Sequence, residues 1–313
     1  MQEASVQAII DTDPGLDDAI AILYALRSPA FEVLGLTTVA GNIGLAATTR
    51  NAGRLLALAR RTDIPVVAGA SRPLKRPALD VASHIHGVDG VGGVPLPQAA
   101  APALDGAVDW MAEQLANAPD KTVDLLALGP LTNVATLVER HPSQAVRIRR
   151  LIAMGGAVET HGNVSARSEF NFAADPEAVE TVLGADLPLA IVPLDVTRQV
   201  RATHDYATQL ATAARPEARK AGELIKAYFK GTDGRESRPL HDPCVMLLAA
   251  VPQLFKVERR HLDVCLTGGD SGALVSGTHA VDVAMGVDEG LALAQLSNVL
   301  VGSRNQPDRD QGR

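Results

Sequence analysis

The chain has 313 residues, a net charge of −7 and a pI near 5.6. Nucleic-acid phosphates require a basic face, so nucleic acid is not an expected partner. No apolar run approaches the roughly 20 residues that cross a bilayer, so no membrane partner is expected. Hydrophobic residues at 46% and charged residues at 21% are ordinary for a globular protein, whereas aromatics at 3% leave Ala, Val, Leu and Ile to fill the core. Met1-Gln2-Glu3-Ala4 has neither the basic nor the apolar region of a secretory signal. A cytoplasmic location is expected, with Cys244 and Cys265 as small hydrophobes in reducing surroundings rather than a bridge.

In chain order, Val6 to Ile10 is a continuous apolar run, the pattern of a buried parallel strand. Pro14-Gly15 breaks it, and Asp17 to Leu26 has helical spacing through Ala19, Ile22, Leu23 and Leu26. A strand is predicted from Phe31 to Val39, a helix from Ala46 to Arg61, and a short strand from Pro65 to Ala68. From Gly69 to Asp105 periodicity vanishes in a Pro- and Gly-rich stretch, a length that in a compact domain usually signals a functional or disordered loop. Helices follow at Ala107 to Asn117, Leu131 to His141 and Pro176 to Leu183. They alternate with strands at Val123 to Ala127, Arg150 to Met154 and Leu189 to Pro193. Beyond Asp195 the pattern turns mainly helical: Tyr206 to Ala214, Ala218 to Phe229, Pro243 to Ala250 and Asp288 to Val301. Late strands are expected near His261 to Leu266 and Ala280 to Val287. The βαβα order implies an α/β fold with a mostly parallel central sheet flanked by helices, a Rossmann-like core. One domain is expected over residues 1–304, with a polar, frayed tail over 305–313.

Ligands of open parallel sheets bind at the carboxyl ends of the strands. Asp11, Asp13, Asp17 and Asp18 stand at such an end, four carboxylates within eight residues. They repel one another unless a cation is bound, and oxygen donors at that density suit Ca²⁺ or Mg²⁺ rather than zinc. The plainer alternative, acids favoured at the first turn of a helix, suits Asp17 and Asp18 but not all four. Loops after the other strands offer Asn42, Asn133, Asn163, Glu169, Asn171, Asp195, His241 and Asp242 as further polar groups.

Asp11 to Asp18 followed by Ala19 resembles the DxDPGxDDA segment of the inosine-uridine-preferring nucleoside hydrolases. Gly41-Asn42, His86-Gly87, Leu128 to Asn133, Met154-Gly155-Gly156, Gly162-Asn163, Glu169 to Asn171 and His241-Asp242-Pro243 follow in the family's order. The resemblance covers the chain to about Val301. It implies cleavage of the N-glycosidic bond of a small-molecule ribonucleoside to free base and ribose, by a homodimer or homotetramer. It also implies Ca²⁺ held by Asp13, Asp18, Asp242 and the Leu128 carbonyl, with Asp13 accepting the proton of a Ca²⁺-bound water. By the same resemblance, Asp17 holds the ribose 2′- and 3′-hydroxyls, Asn42 and Asn171 contact that edge, and Asn171 counts among the catalytic groups. Asn163 and Glu169 would bind the 5′-hydroxyl, Met154 would lie beneath the ring, and His241 would stand near the leaving base.

Residue chemistry agrees. Vicinal hydroxyls can replace waters on an oxygen-rich Ca²⁺ shell, and amides with carboxylates stabilise an oxocarbenium-like transition state. His241 has a near-neutral reference pKa and is a candidate acid for a departing purine. His86, in the long Gly-rich loop, is a candidate contact to the nucleoside if that loop closes over the base, and otherwise a solvated loop histidine. Tyr228 and Phe229 are either base-stacking or core residues, Asn133 reads as a helix-start hydrogen-bonder, Asp195 as support behind the metal, and Trp110 as core. Base-contacting side chains are expected between Lys230 and Pro239. Two rival functions remain: a catalytically silent nucleoside- or ribose-binding homologue, and a haloacid-dehalogenase-type phosphatase. The first has no reason to keep Asp13, Asp18 and Asp242; the second needs a later acidic pair after a strand, which the sequence lacks.

Overall fold

The computed structural model describes residues 5–77, 82–230 and 235–302. The first half runs β1 (Val6–Thr12), α1 (Leu16–Arg27), β2 (Phe31–Thr38), α2 (Leu45–Leu58), β3 (Val66–Ala68), α3 (Ser83–His86) and β4 (Leu104–Asp105). Next come α4 (Ala107–Asn117), β5 (Val123–Ala127), α5 (Thr132–Arg140), α6 (Pro142–Ala145), β6 (Arg150–Met154), α7 (Phe170–Ala174) and α8 (Pro176–Gly184). Then follow β7 (Leu189–Val192), α9 (Leu194–Thr197), β8 (Arg201–Thr203), α10 (His204–Ala211), α11 (Pro216–Tyr228) and β9 (Ser237–Pro239). The chain continues through α12 (Pro243–Ala250), β10 (Phe255–Val264), β11 (Leu274–Ser276), β12 (His279–Val287) and α13 (Glu289–Val301).

One ten-stranded sheet has the order β11-β10-β12-β7-β6-β5-β1-β2-β3-β4. It is parallel from β12 to β4, and β10 joins β12 antiparallel. A separate antiparallel pair, β8 with β9, closes residues 201–239. The chain leaves β1 toward β2, β3 and β4, then returns to the other side of β1 for β5. The switch point, where an open α/β sheet forms its crevice, therefore lies between β1 and β5.

β1 is buried on both faces, as its unbroken apolar run requires. Ala8 and Ile10 join the core cluster with α1, α11 and α12, and Ile9 joins the cluster with α4, α5 and α8. Full burial of each such aliphatic side chain contributes about 1.5–3 kcal/mol. Cys244 is buried, Cys265 is half-buried, and both are free thiols.

Several boundaries move. β10 starts at Phe255, ahead of the predicted His261, because Lys256, Glu258, Arg259 and Arg260 alternate on a half-exposed antiparallel strand that hydrophobicity does not reveal. The short elements β8, β9, α7 and α9 carry too few residues to show a period. Within the stretch from Gly69 to Asp105, the described residues 69–77 and 82–105 are tied down rather than loose. Arg54 donates to the carbonyls of Leu96 and Pro97, Asn51 donates to that of Asp89, and Arg76 pairs with Glu177 on α8. Trp110 is only half-buried, packed beside Gly35 on β2. The predicted tail from Asn305 lies outside the described residues. Among those described, no helix is long and apolar enough to cross a membrane.

Candidate active site

At the β1/β5 switch point the chain buries a group of acids almost completely: Asp11, Asp13 and Asp18 at 0% exposure, Asp17 and Asp242 at 4%. Oxygens of Asp17, Asp18 and Asp242 lie within 4.8 Å of one another. Asp17 and Asp18 come from the first turn of α1, and Asp242 caps α12 from the opposite end of the sequence. Asp18 is held by donors: Thr12 Oγ1 at 2.7 Å and the Asp13 N–H at one oxygen, the Gly15 N–H and Asn42 Nδ2 at the other.

Asp13 is not one of that trio but lies against it, its N–H donating to Asp18 Oδ1 at 3.3 Å. Its Oδ2 accepts the Asn42 N–H at 2.6 Å, and its Oδ1 is buried with no partner. A Cβ at Gly41 would stand 2.1 Å from Asp13 Oδ2, and one at Gly129 would stand 2.5 Å from Oδ1. Only bare backbone lets this carboxylate enter between the two loops. Burial, followed by the Asp18 charge, raises the Asp13 carboxyl well above the ordinary range. Burial and Asp18 likewise push Asp17 to about 7, and burial with Asp17 and Asp18 raises Asp242. Clustered, desolvated carboxylates with an orphaned oxygen form an all-oxygen donor set, and this fits a hard divalent cation.

Asp11 points elsewhere, receiving Thr37 Oγ1 at 2.6 Å and Asn133 Nδ2 at 2.8 Å. Asn133 also donates to the Thr38 carbonyl and accepts from Ala70, so it ties strand ends together instead of starting its own helix.

A cavity of about 410 Å³ opens above the cluster. Its wall holds Asp17, Asn42, His86, Met154, Asn163, Glu169 and Asn171, residues separated by more than 150 positions in the chain. Leu128, His241 and Asp242 line it as well, whereas Asp13 and Asp18 lie below its floor and are not among the lining residues. Asn171 Nδ2 donates to the Leu128 carbonyl at 2.7 Å and to that of Met154 at 3.2 Å. Glu169 caps α7 and accepts the N–H groups of Gly156, Asn171 and Phe172, while burial pushes its carboxyl to about 7.

The chain matches the profile of inosine-uridine preferring nucleoside hydrolases over residues 8–298. The chain belongs to that family. It is 39% identical over 261 residues to the pyrimidine-specific ribonucleoside hydrolase RihA of Escherichia coli O127:H6, covering 82% of this chain and 83% of that one. Uridine nucleosidase 1 of Arabidopsis thaliana is 36% identical over 255 residues, covering 80% of this chain and 76% of its own. A solved structure, the plant nucleoside hydrolase PpNRh1, superposes with a TM-score of 0.89 at 30% identity, over 95% of this chain and 99% of its own. The hydrolase is thus an N-glycosyl hydrolase, and the phosphatase alternative falls.

His84, His86 and His241 line the hydrolase's cavity; His84 is exposed, and burial favours the neutral form of the other two. His86 is buried, its Nδ1 accepting the Leu16 N–H at 3.0 Å, so the ring proton resides on Nε2. Burial lowers its pKa to about 4, an outcome at odds with a solvated loop histidine. His241 Nδ1 lies 2.7 Å from Thr197 Oγ1. Burial, then Arg198 and Arg238, pushes its pKa down to about 3. At neutral pH such a ring is uncharged.

Tyr228 lines the cavity while Phe229 stacks on His204 at 3.8 Å between ring centroids, outside the site. Arg238, which sequence reasoning missed, places its guanidinium 4.0 Å over the Tyr228 ring and is 7% exposed. Its only signal was its place in the segment flagged for base contacts, part of which (231–234) lies outside the described residues. Asp195 does not back the acid cluster as anticipated. Its carboxylate is occupied by the N–H groups of Val158, Glu159 and Thr160.

Proposed function

We propose that this hydrolase cleaves ribonucleosides to base and ribose at the acid cluster, with Asp13 as the base. The observation that carries this reading is the free Oδ1 of Asp13, buried beside the convergent oxygens of Asp17, Asp18 and Asp242. In this reading Ca²⁺ is held by Asp13, Asp18, Asp242 and the Leu128 carbonyl, whose second lone pair remains available beside the Asn171 bond. When bound, such a cation acidifies water and anchors vicinal hydroxyls.

The chain's own groups do the rest. Asp17 accepts hydrogen bonds from the ribose 2′- and 3′-hydroxyls, and Asn42 and Asn171 orient the same edge. Asn163 and Glu169 take the 5′-hydroxyl, and Met154 fills the space under the ring. Asp13 Oδ1 takes the proton from the attacking water, a contribution of about 10²–10⁴-fold for a positioned base. Carboxylates and amide oxygens fixed around the ring stabilise the positive charge that builds there. His86 and His241, as neutral rings, orient the base by hydrogen bonding; the base departs with the C–N bonding pair as its anion and takes up a proton from solvent water.

The test is release of free base from uridine, inosine, cytidine and adenosine, with and without chelator. The names of the curated relatives make uridine the first substrate to try. Activity on at least one ribonucleoside, lost on chelation and restored by Ca²⁺, is expected. Bound Ca²⁺ with no cleavage of any of them would replace this reading with the silent binder. His241→Ala is expected to lower kcat/KM about 10- to 100-fold, the range for a lost orienting contact. Because the ring is neutral, the loss should be similar for uridine and inosine. A loss confined to inosine would restore the purine-acid role.

A further inference from the structure

The one-turn helix α9 occupies an unusual position. It follows β7 directly and is held to the β6 side by Leu194 N–H donating to the Gly156 carbonyl at 2.9 Å. Three of its polar side chains point in two directions. Asp195 accepts the N–H groups of Val158 at 2.8 Å, Glu159 at 2.7 Å and Thr160 at 3.0 Å. Arg198, the residue that closes the helix, donates to Thr160 Oγ1 and to the carbonyls of His161 and Gly162. Thr197, fully buried, meets His241 Nδ1 at 2.7 Å.

Residues 158–162 are therefore clasped from one side by a carboxylate and a guanidinium, each matched to the polarity of the backbone it holds. The next residue is Asn163, an exposed side chain on the cavity wall. Its own N–H donates to the Ser168 carbonyl at 3.0 Å, so the side chain is placed by that bond on one side and by the clasped 158–162 backbone on the other. Asp195 and Arg198 contribute no atom to the cavity lining. On the other side, the Thr197 hydroxyl fixes the orientation of a buried ring that does line the cavity, and its bond direction is tied to the ring's tautomer. If the hydroxyl donates to Nδ1, Nε2 carries the ring proton; the reverse direction moves it to Nδ1.

We propose that α9 is a positioning element for both edges of the substrate pocket, with Asp195 and Arg198 fixing the loop that presents Asn163 and Thr197 fixing the His241 ring. This rests on the reading above in which Asn163 meets the 5′-hydroxyl. None of the α9 residues is a catalytic residue; each acts through another. The consequence is a separable effect. Loosening the Asn163 loop costs recognition of the 5′-hydroxyl, and loosening His241 costs turnover irrespective of that hydroxyl.

The experiment compares uridine with 5′-deoxyuridine on the Ca²⁺-loaded enzyme. Arg198→Ala and Asp195→Asn are each expected to lower kcat/KM for uridine about tenfold or more, mainly through KM. They should leave 5′-deoxyuridine within about threefold, and Asn163→Ala should show the same pattern. Thr197→Val is expected to lower kcat about tenfold on both substrates with KM little changed, and Thr197→Ser to restore it. Equal losses on both substrates for Arg198→Ala, with Asn163→Ala discriminating normally, would overturn the proposal and leave α9 a purely structural turn. Failure of Asn163→Ala itself to discriminate would overturn the 5′-hydroxyl reading and the proposal with it. A Thr197→Val enzyme with unchanged kcat would remove the His241 half. Should Arg198→Ala fail to fold, Arg198→Lys serves instead, since an ammonium cannot span the Thr160, His161 and Gly162 acceptors in the way a guanidinium does.

Discussion

Asp13→Asn is expected to lower kcat for base release from uridine by about 10²–10⁴-fold with the fold intact. Asparagine is nearly isosteric, and its carbonyl oxygen can keep the bond from the Asn42 N–H that Asp13 Oδ2 now accepts at 2.6 Å. The space between Gly41 and Gly129 is already shaped for a group of that size. What the amide cannot do is take a proton from water, and the buried Oδ1 is the atom left free for that task. The trio of Asp17, Asp18 and Asp242 remains in place, so stabilisation by Ca²⁺ should persist, weakened by the loss of one negative ligand. Single-turnover base release and thermal melts with and without Ca²⁺ measure the two effects separately. A variant that retains a tenth or more of wild-type kcat would remove Asp13 as the base.

Chelation is expected to destabilise the enzyme, and Asp242→Asn to abolish most of that response. Without a cation, the buried carboxylates of Asp13, Asp17 and Asp242 are raised by desolvation and by each other's charge, an arrangement that opposes folding at neutral pH. A cation that binds only the folded state adds about 2.7 kcal/mol at a hundredfold excess over its Kd, which is on the order of 5 °C in Tm for a chain of this length. Asp242→Asn removes one of the three oxygens that converge within 4.8 Å. The chelated variant should therefore melt above the chelated wild type, because one repulsive charge is gone, while its gain on adding Ca²⁺ largely disappears. Differential scanning calorimetry of both proteins in chelator and in Ca²⁺ decides it. An undiminished Ca²⁺ shift in the variant would place the cation away from Asp242.

Why so much of the site was legible in sequence has a physical basis. A parallel sheet presents its strand ends on one edge, so polar residues just after each strand converge wherever the strands lie. The roles of Leu128 and Met154 came only from the family resemblance, whereas Asp13, Asp17 and Asp18 after β1, Asn42 after β2 and Asn133 after β5 are such residues. Their types alone pointed to a hard cation, and the ordered set of segments pointed to the family. β1, β5, β6, α4 and α12 could be read because an apolar run or a helical period is a local property. The half-exposed β10 and the one-turn α9 could not, since neither carries a period that stands out.

Tertiary structure alone decided how those residues divide their work. The resemblance named Asp13, Asp18 and Asp242 as a ligand set; packing brings oxygens of Asp17, Asp18 and Asp242 within 4.8 Å of one another and leaves Asp13 with an unpaired buried oxygen. Sequence suggested a protonatable His241, but burial beside Arg198 and Arg238 keeps the ring neutral. It offered Asp195 as one candidate support behind the metal, whereas its carboxylate holds the 158–160 backbone. Residue type and order are inscribed along the chain, and they were enough for the fold, the family and the reaction class. Protonation state, hydrogen-bond partner and which oxygen stays free depend on desolvation and on neighbours more than 100 positions away, as with Asn133 and Asp11, and those exist only once the chain has folded.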